Sequence, residues 1–396
     1  MSTLRPRSMP LVLAALCATG PLGIDMYLPS IPDMAASFGT SAGAIQLSLM
    51  TFFLGLMLGQ LAYGPLSDRF GRKPLIYIGL GIFSLGSVGC AMADTVAQLN
   101  WLRFLQGLGG SIGMVIAFAI IKDAFSCAAM GKLMSMVLAV LGLCPVLAPL
   151  AGNALQSLES WRVIFWALAA WGVLVAVVAA VLLPETRSPE ARAGFTLGRT
   201  AHTYVQILSD KRFLPFALAL CIAQAGFFAY IAGSSTVFIR HYQLSPLQFS
   251  LLFALNAAGL VVAAIVNPRL HARMGVLTTY RHVSFAYFAV LAALLLTMLA
   301  GITALPVLCA GLFITVALLG LLMPTGSQLA LMQQGRHAGT AAALLGAMQF
   351  GAGALITAVS GTLAYLGGMG LVAVMASCAA ISAAICLLLF PRNVEA

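Results

Sequence analysis

Charge is what this sequence lacks. Of its 396 residues only 8% are charged while 61% are hydrophobic, and the mean hydropathy is +1.03. A soluble domain of this length needs far more charged surface to stay dissolved. Acids are the scarcest group: there are ten, and no Asp or Glu stands between Asp210 and Glu395. The second half therefore offers no interior carboxylate for metal binding, acid–base chemistry or proton carriage. The signatures of an enzyme are missing too. There is no His-Glu-x-x-His metal motif, no Gly-x-Ser-x-Gly elbow and no nucleophile with a paired base, so the chain is read as a non-enzyme. No Gly-x-x-x-x-Gly-Lys-Ser/Thr loop is present, which argues against an ATP-driven pump. The eight cysteines have no metal-ligand spacing, seven fall in apolar runs, and no two share an outer loop, so they read as packing residues rather than a disulfide framework. No cofactor and no metal are expected. The alternating ten-residue segments of an outer-membrane barrel are absent as well.

What the sequence has is long apolar runs. Twelve are legible, at roughly 9–29, 42–63, 74–93, 98–120, 131–156, 161–183, 213–238, 247–268, 279–300, 305–330, 337–360 and 368–390. Each is long enough to cross a bilayer as a helix. The fold class expected is therefore an all-α membrane protein of twelve transmembrane helices. The first run follows Arg5 and Arg7 like a signal peptide, but Pro21, Asp25 and Pro29 interrupt it and no small-x-small cleavage site follows, so it reads as a retained helix.

The net charge of +10 could suggest a nucleic-acid partner, but the basic residues stand in short clusters between apolar runs, not on one face. With the N-terminus placed in the cytoplasm, seventeen of the twenty Lys and Arg fall on the cytoplasmic side, leaving Arg103, Arg162 and Arg240. The positive-inside rule selects that orientation, with both termini cytoplasmic. Trp101 and Trp161 stand at outer-face starts of runs, where interfacial aromatics gather.

The longest polar connection, 184–212, divides the chain into six plus six. The domains expected are a six-helix lobe over 1–185, a cytoplasmic linker over 186–212 and a second six-helix lobe over 213–396. Two pseudo-symmetric lobes around a midplane site are the layout this predicts. The linker stretch around Phe195, Leu197, Tyr204, Ile207 and Leu208 has the pattern of a short amphipathic helix on the membrane surface.

Four motifs carry the chemistry. The first, Gly64-Pro65-Leu66-Ser67-Asp68-Arg69-Phe70-Gly71-Arg72-Lys73-Pro74, follows the second run. Gly64 and Gly71 permit close approach and tight turning. Asp68 can face a helix N-terminus, where negative charge is favoured, and Arg69, Arg72 and Lys73 stay at the anionic surface. A worn copy, Asn267-Pro268-Arg269-Leu270-His271-Ala272-Arg273-Met274-Gly275, follows the eighth run without the Asp, which points to duplication of a six-helix unit. The second motif, Leu102-Arg103-Phe104-Leu105-Gln106-Gly107-Leu108-Gly109-Gly110, places Arg103 about five residues or 7–8 Å inside a span, where it must be paired, hydrated or snorkelling. The third, Gly142-Leu143-Cys144-Pro145-Val146-Leu147-Ala148-Pro149-Leu150-Ala151-Gly152, pairs two helix-bending prolines with Gly142 and Gly152, which let a neighbouring helix pack closely. The fourth, Gly23-Ile24-Asp25-Met26-Tyr27-Leu28-Pro29-Ser30-Ile31-Pro32, closes the first run.

Together these motifs resemble those of the major facilitator superfamily, and within it the drug:proton antiporters of the bicyclomycin/chloramphenicol-resistance (Bcr/CflA) family. The resemblance covers essentially the whole chain, with its specific residues in the first half. It implies that Gly64, Asp68, Arg69, Gly71, Arg72 and Asp123 form a cytoplasmic latch in which Asp123 pairs with Arg72. It implies that Arg103 marks proton coupling, and that Gly142, Pro145, Pro149 and Gly152 form the antiporter kink. The usual Gly-Pro pair is Cys144-Pro145 here, which loosens the inference of direction.

Asp25 is the only carboxylate well inside a run. In this fold the first and fourth spans face the central cavity, so Asp25 and Arg103 are expected at similar depth as a proton-coupling pair, with a static ion pair between helices as the competing reading. One carboxylate predicts about one proton per cycle, so export of a neutral compound would be electrogenic. The cavity should be apolar with a few polar handles. Its candidates are Asp25, Tyr27, Gln46, Phe53, Gln106, Met114, Phe118, Gln224, Phe227, Phe228, Tyr230, Asn256, Gln328 and Gln349.

The function this implies is export of small hydrophobic compounds, antibiotics such as bicyclomycin or phenicols, by alternating-access exchange for protons across the bacterial inner membrane. The proton gradient is the driving force. The partners are substrate, protons and lipid, no nucleic acid, and one copy of the chain is expected to suffice. The alternative is a proton-coupled transporter of a small metabolite such as a nucleoside, sugar or amino acid. An importer of that kind usually needs several polar ligands in the second lobe, and those are scarce here.

Overall fold

A computed structural model describes residues 9–124, 127–187 and 197–391. Arg5, Arg7, Glu190, Arg192, Phe195, Arg392 and Glu395 lie outside the described residues, as do the side chains of Lys132, Arg199 and Arg336. Among the described residues every regular element is helical. Twelve helical segments are long and apolar enough to cross a membrane, from Met9–Ser37 to Ala364–Leu389, and each overlaps one of the runs read from sequence. The chain is an all-helical, multi-pass membrane protein.

Breaks in the spans follow the residues that cannot continue a helix. In the first span α1 (Met9–Asp25) gives way to a single 3₁₀ turn, Leu28–Ser30, and then to α2 (Ile31–Ser37). Pro29 and Pro32 each stand in the first turn of the new element, where the missing N–H is harmless. α3 (Ala42–Phe70) and α4 (Arg72–Met92) are separated by Gly71 alone, at φ +99°. α11 (Pro246–Met274) and α12 (Val276–Leu299) are separated in the same way by Gly275 at φ +79°. Both glycines hold a left-handed backbone that side chains rarely adopt. The worn motif therefore repeats the turn of the first while losing its charge.

α5 (Val96–Gly110) and α6 (Ile112–Ala124) form one span broken at Ser111, and α7 (Cys127–Gln156) contains Pro145 and Pro149. α8 (Arg162–Leu182) ends before the linker, which holds α9 (Leu197–Leu208). The second half has α10 (Leu214–Ser235), which runs into a π-helical stretch at Thr236–His241. It continues with α13 (Leu305–Leu331), α14 (Ala338–Thr362) and α15 (Gly367–Leu389). Trp101 is exposed, as an interfacial aromatic would be. Trp161 is instead buried, packed against Phe38 and Phe165.

The chain divides into two compact units. The first comprises the residues up to Gly39 with Ser48–Ala201, the second Thr40–Leu47 with the residues from His202 onward. Within each, helices approach at glycine. A Cβ on Gly107 would collide with the Phe52 carbonyl, one on Gly113 with the Leu16 carbonyl, and one on Gly320 with the Leu260 carbonyl. Between helices in lipid such small-residue contacts replace the hydrophobic drive that holds soluble bundles. One core of the first unit gathers Leu13, Leu16, Ile76, Leu80, Ile116 and Ile120 from α1, α4 and α6.

Candidate functional site

An arginine and an aspartate are buried inside spans of the first unit. Arg103 on α5 is 0% exposed and Asp25, the last residue of α1, is 4% exposed. A guanidinium in such a place needs compensation. It finds three aromatic rings: its Cζ lies 4.2 Å from the ring centre of Phe52, 4.4 Å from Tyr27 and 5.7 Å from Phe165. Cation–π contacts of this kind gain strength when desolvated. Arg103 Nη1 also donates to the Gly23 carbonyl at 3.0 Å and to Gln106 Oε1. Gln106 Nε2 in turn donates to Ser87 Oγ at 2.7 Å, and Ser87 Oγ to the Phe83 carbonyl at 2.7 Å. Arg103, Gln106 and Ser87 are all fully buried, so this is a closed relay from α4 through α5 to α1. Among the described residues, Arg103 Nε and Nη2 have no hydrogen-bond partner.

The expected pairing of Asp25 with Arg103 is not present: among the described residues no carboxylate lies within 4.0 Å of the guanidinium. Arg103 does bond the backbone two residues before Asp25. The phase around the helix differs. Positions 23 and 25 are about 200° apart around a helix axis, so the face of α1 that meets Arg103 turns Asp25 away. Asp25 instead lies close enough to Cys144 of α7 for the two groups to interact electrostatically. The next residue, Met26, is where Gly152 of α7 packs: a Cβ on Gly152 would collide with the Met26 carbonyl. The third motif thus lies beside Asp25. Both its prolines are inside α7, and Gly152 provides the close approach.

At the other end of the first unit the charged motif is knitted together. Arg72, 5% exposed, bonds Asp123 through Nε at 3.0 Å and Asp68 through Nη2 at 2.8 Å, and its Nη1 donates to Ser67 Oγ. Arg187 reaches Asp68 at 3.9 Å. The N-terminus of α4 is capped, but not by Asp68. Glu185 Oε1 accepts from the Arg72 N–H at 3.0 Å and Glu185 Oε2 from the Lys73 N–H at 3.1 Å, while Lys73 Nζ donates to the Ala180 carbonyl. A carboxylate on two free amides at a helix start is favoured by both hydrogen bonding and the helix dipole.

Among the described residues of the second unit there is no ion pair inside a span. Where α3 meets α4 the first unit has Arg72 and Asp123. Beside the matching turn, Asn267 Nδ2 donates to Thr325 Oγ1 at 3.0 Å and His271 Nε2 lies 3.0 Å from the same oxygen. Tyr230 stacks between Phe227 and Phe253, with ring centres 6.1 and 5.5 Å away and planes tilted by 20° and 13°. Its hydroxyl accepts from Asn256 Nδ2 at 2.8 Å.

The Major Facilitator Superfamily model matches residues 12–357. The chain belongs to the major facilitator superfamily. Among relatives of this superfamily member, an uncharacterised MFS-type transporter YdgK of Bacillus subtilis is 33% identical, over 90% of this chain and 94% of its own. A bicyclomycin resistance protein homolog of Haemophilus influenzae is 29% identical over 97% and 96%. A multidrug resistance protein MdtL of Escherichia fergusonii is 29% identical over 64% of each chain. Among solved structures, a bacterial homolog of the human lysosomal transporter Spinster has a TM-score of 0.76 at 16% identity, over 98% of this chain and 97% of that one. A D-xylose-proton symporter has a TM-score of 0.74 at 15% identity, over 96% and 98%. At those identities the structures share the fold. This major facilitator protein is therefore a membrane transporter.

Placed in this superfamily fold, the candidate residues separate. Tyr27 lies against Arg103 with its hydroxyl 3.4 Å from Ser48 Oγ, and Gln106 is engaged by Arg103 and Ser87, so both support the buried cation rather than line open space. Phe53 is fully buried, and Met114 and Phe118 pack partly buried on the first unit's core. Gln46 groups with the second unit, where its amide donates to Thr236 Oγ1 at 3.3 Å beside Ser360 and Gly367. Gln224, Phe227 and Gln349 are half-buried, Phe228 packs on Phe350, and Gln328 is exposed. Sequence reading passed over Ser87 and Glu185. Glu185 had a signal, an acid just after a span-ending Pro184. Ser87 had none beyond its place in an apolar run.

Proposed function

We propose that this transporter exports small hydrophobic compounds in exchange for protons. The observation that carries the reading is Asp25: a carboxyl 4% exposed inside a span, free of any ion pair among the described residues, beside α7 with its two internal prolines. Intramembrane acids are rare and mark ion pathways. A carboxyl without a fixed counter-ion is able to exchange a proton with each side in turn. Arg103, held in its aromatic cage with Nε and Nη2 unpartnered, is the cation that receives the deprotonated carboxylate when α1 shifts on α5. Substrate binds while Asp25 is deprotonated, and protonation from outside accompanies its release, by alternating access of the two units. The names of the relatives, bicyclomycin resistance and multidrug resistance, support the export direction. The distribution of basic residues supports a reading with both termini on the cytoplasmic side of the inner membrane.

The test uses everted vesicles acidified by respiration. Chloramphenicol, bicyclomycin and cationic dyes are added, and proton release is followed for wild type and Asp25→Asn. Drug-triggered deacidification that disappears in Asp25→Asn is the expected result. Undiminished exchange in the variant refutes Asp25 as carrier. Inertness of the wild type to every compound refutes export and favours the metabolite transporter.

A further inference from the structure

In the second unit two helices each present an amide and a phenyl ring three residues apart. On α10 these are Gln224 and Phe227, on α11 Asn256 and Phe253. Residues three apart share a helix face. Tyr230 lies between the two phenyl rings and stacks on both, so a continuous aromatic run joins the two amides. Phe227 and Gln224, at one end, are half-buried, so that end is the more accessible of the two. Phe253 and Asn256, at the other, are 2% and 1% exposed.

Both amides are incomplete in the same way. Among the described residues, Gln224 Oε1 and Asn256 Oδ1 are buried acceptors with no hydrogen-bond partner, although Asn256 uses its NH₂ on Tyr230. An unmet buried acceptor is costly, and a ligand donor recovers that cost. The same unit has no Asp or Glu from Lys211 to Val394, so nothing there offsets the desolvation of an organic cation.

We propose that this ring-and-amide array is a substrate subsite selective for neutral, flat aromatic compounds that carry an N–H or O–H donor. The ring stacks on Phe227, and the donor meets Gln224 Oε1 at entry and Asn256 Oδ1 at depth. Donor-free hydrocarbons leave both acceptors unmet, and cations lack a counter-charge. The inference deepens the export reading by naming its substrate class, but it concerns binding and stands without a proton gradient.

The test measures binding to the purified full chain in detergent by fluorescence anisotropy. The probes are acridone, which is neutral and flat with one N–H, its donor-free analogue 10-methylacridone, and cationic 9-aminoacridine. Acridone is expected to bind at least tenfold more tightly than either of the others. Asn256→Leu should weaken acridone about tenfold and leave 10-methylacridone within twofold, which also shows that the variant is folded. Gln224→Leu, at a half-buried position, supplies a second variant that should weaken acridone selectively if Asn256→Leu does not fold. Equal binding of acridone and 10-methylacridone to wild type overturns the proposal. So does tighter binding of 9-aminoacridine, acridone binding indifferent to both substitutions, or no acridone binding. Selective acridone binding with no drug-driven proton release in vesicles leaves the subsite standing and removes the antiport reading. Exchange without that selectivity does the reverse.

Discussion

Gln106→Leu isolates what the relay does for the buried cation. Arg103 Nη1 has two acceptors, the Gly23 carbonyl and Gln106 Oε1, and the substitution deletes one at nearly constant volume. A hydrogen bond to a charged group contributes about 1.5–3 kcal/mol, and no water reaches a site this buried to replace it. Ser87→Ala removes only the neutral bond one step further out, about 0.5–1.5 kcal/mol, while Gln106 keeps its contact with Arg103. The two variants should therefore lower the unfolding temperature in the order Gln106→Leu, then Ser87→Ala. The first drop should be several degrees, at roughly 2–4 °C per kcal/mol for units of this size. Thermal unfolding of the detergent-purified protein, followed by size-exclusion fluorescence, reads this directly. Exchange in vesicles should fall in the same order, because a guanidinium that has lost its tether no longer presents Nε and Nη2 in a fixed direction. A Ser87→Ala loss equal to or larger than that of Gln106→Leu would sink the relay argument, as would a Gln106→Leu protein as stable as wild type.

Two further outcomes follow from the same geometry. Gly152→Ala puts a methyl against the Met26 carbonyl and forces α7 away from α1 beside Asp25. The protein should insert normally yet lose most drug-driven proton exchange, whereas retained exchange would show that this close approach is dispensable. Glu185→Ala uncaps α4, at a cost of about 0.5–2 kcal/mol, and Glu185→Gln should cost less because one acceptor oxygen remains. Paired melting curves in low salt check that order.

The spans were legible because bilayer thickness imposes a length of apolar chain that no other requirement produces. The Arg72–Asp123 pair was legible through its motif, and the turn at Gly275 through its worn copy. The direction of Asp25 was not. It depends on where α1 stops and on the single 3₁₀ turn at Leu28–Ser30, and a one-residue difference there rotates a side chain by about 100°. The Arg103–Gln106 contact was open to reading from its i,i+3 spacing. The aromatic cage was not, because Tyr27, Phe52 and Phe165 come from three other elements separated widely in sequence. The cap from Glu185 fell in a stretch that composition assigns to the linker, where any acid looks solvated.

The caged guanidinium has an electrical consequence of its own. A positive charge fixed in a low dielectric, without a counter-ion, raises the local potential steeply. Channels and pores use such residues as barriers to ions of like sign. Whenever Asp25 carries its proton, Arg103 leaves the interior of the first unit net positive, so sodium, potassium and hydronium meet a repulsive field. On the proposed exchange, the coupled proton would escape that field by travelling as part of a neutral carboxylic acid. The arrangement that tolerates one buried cation would then keep the pathway tight against leak and let a cell hold its membrane potential while the carrier turns over.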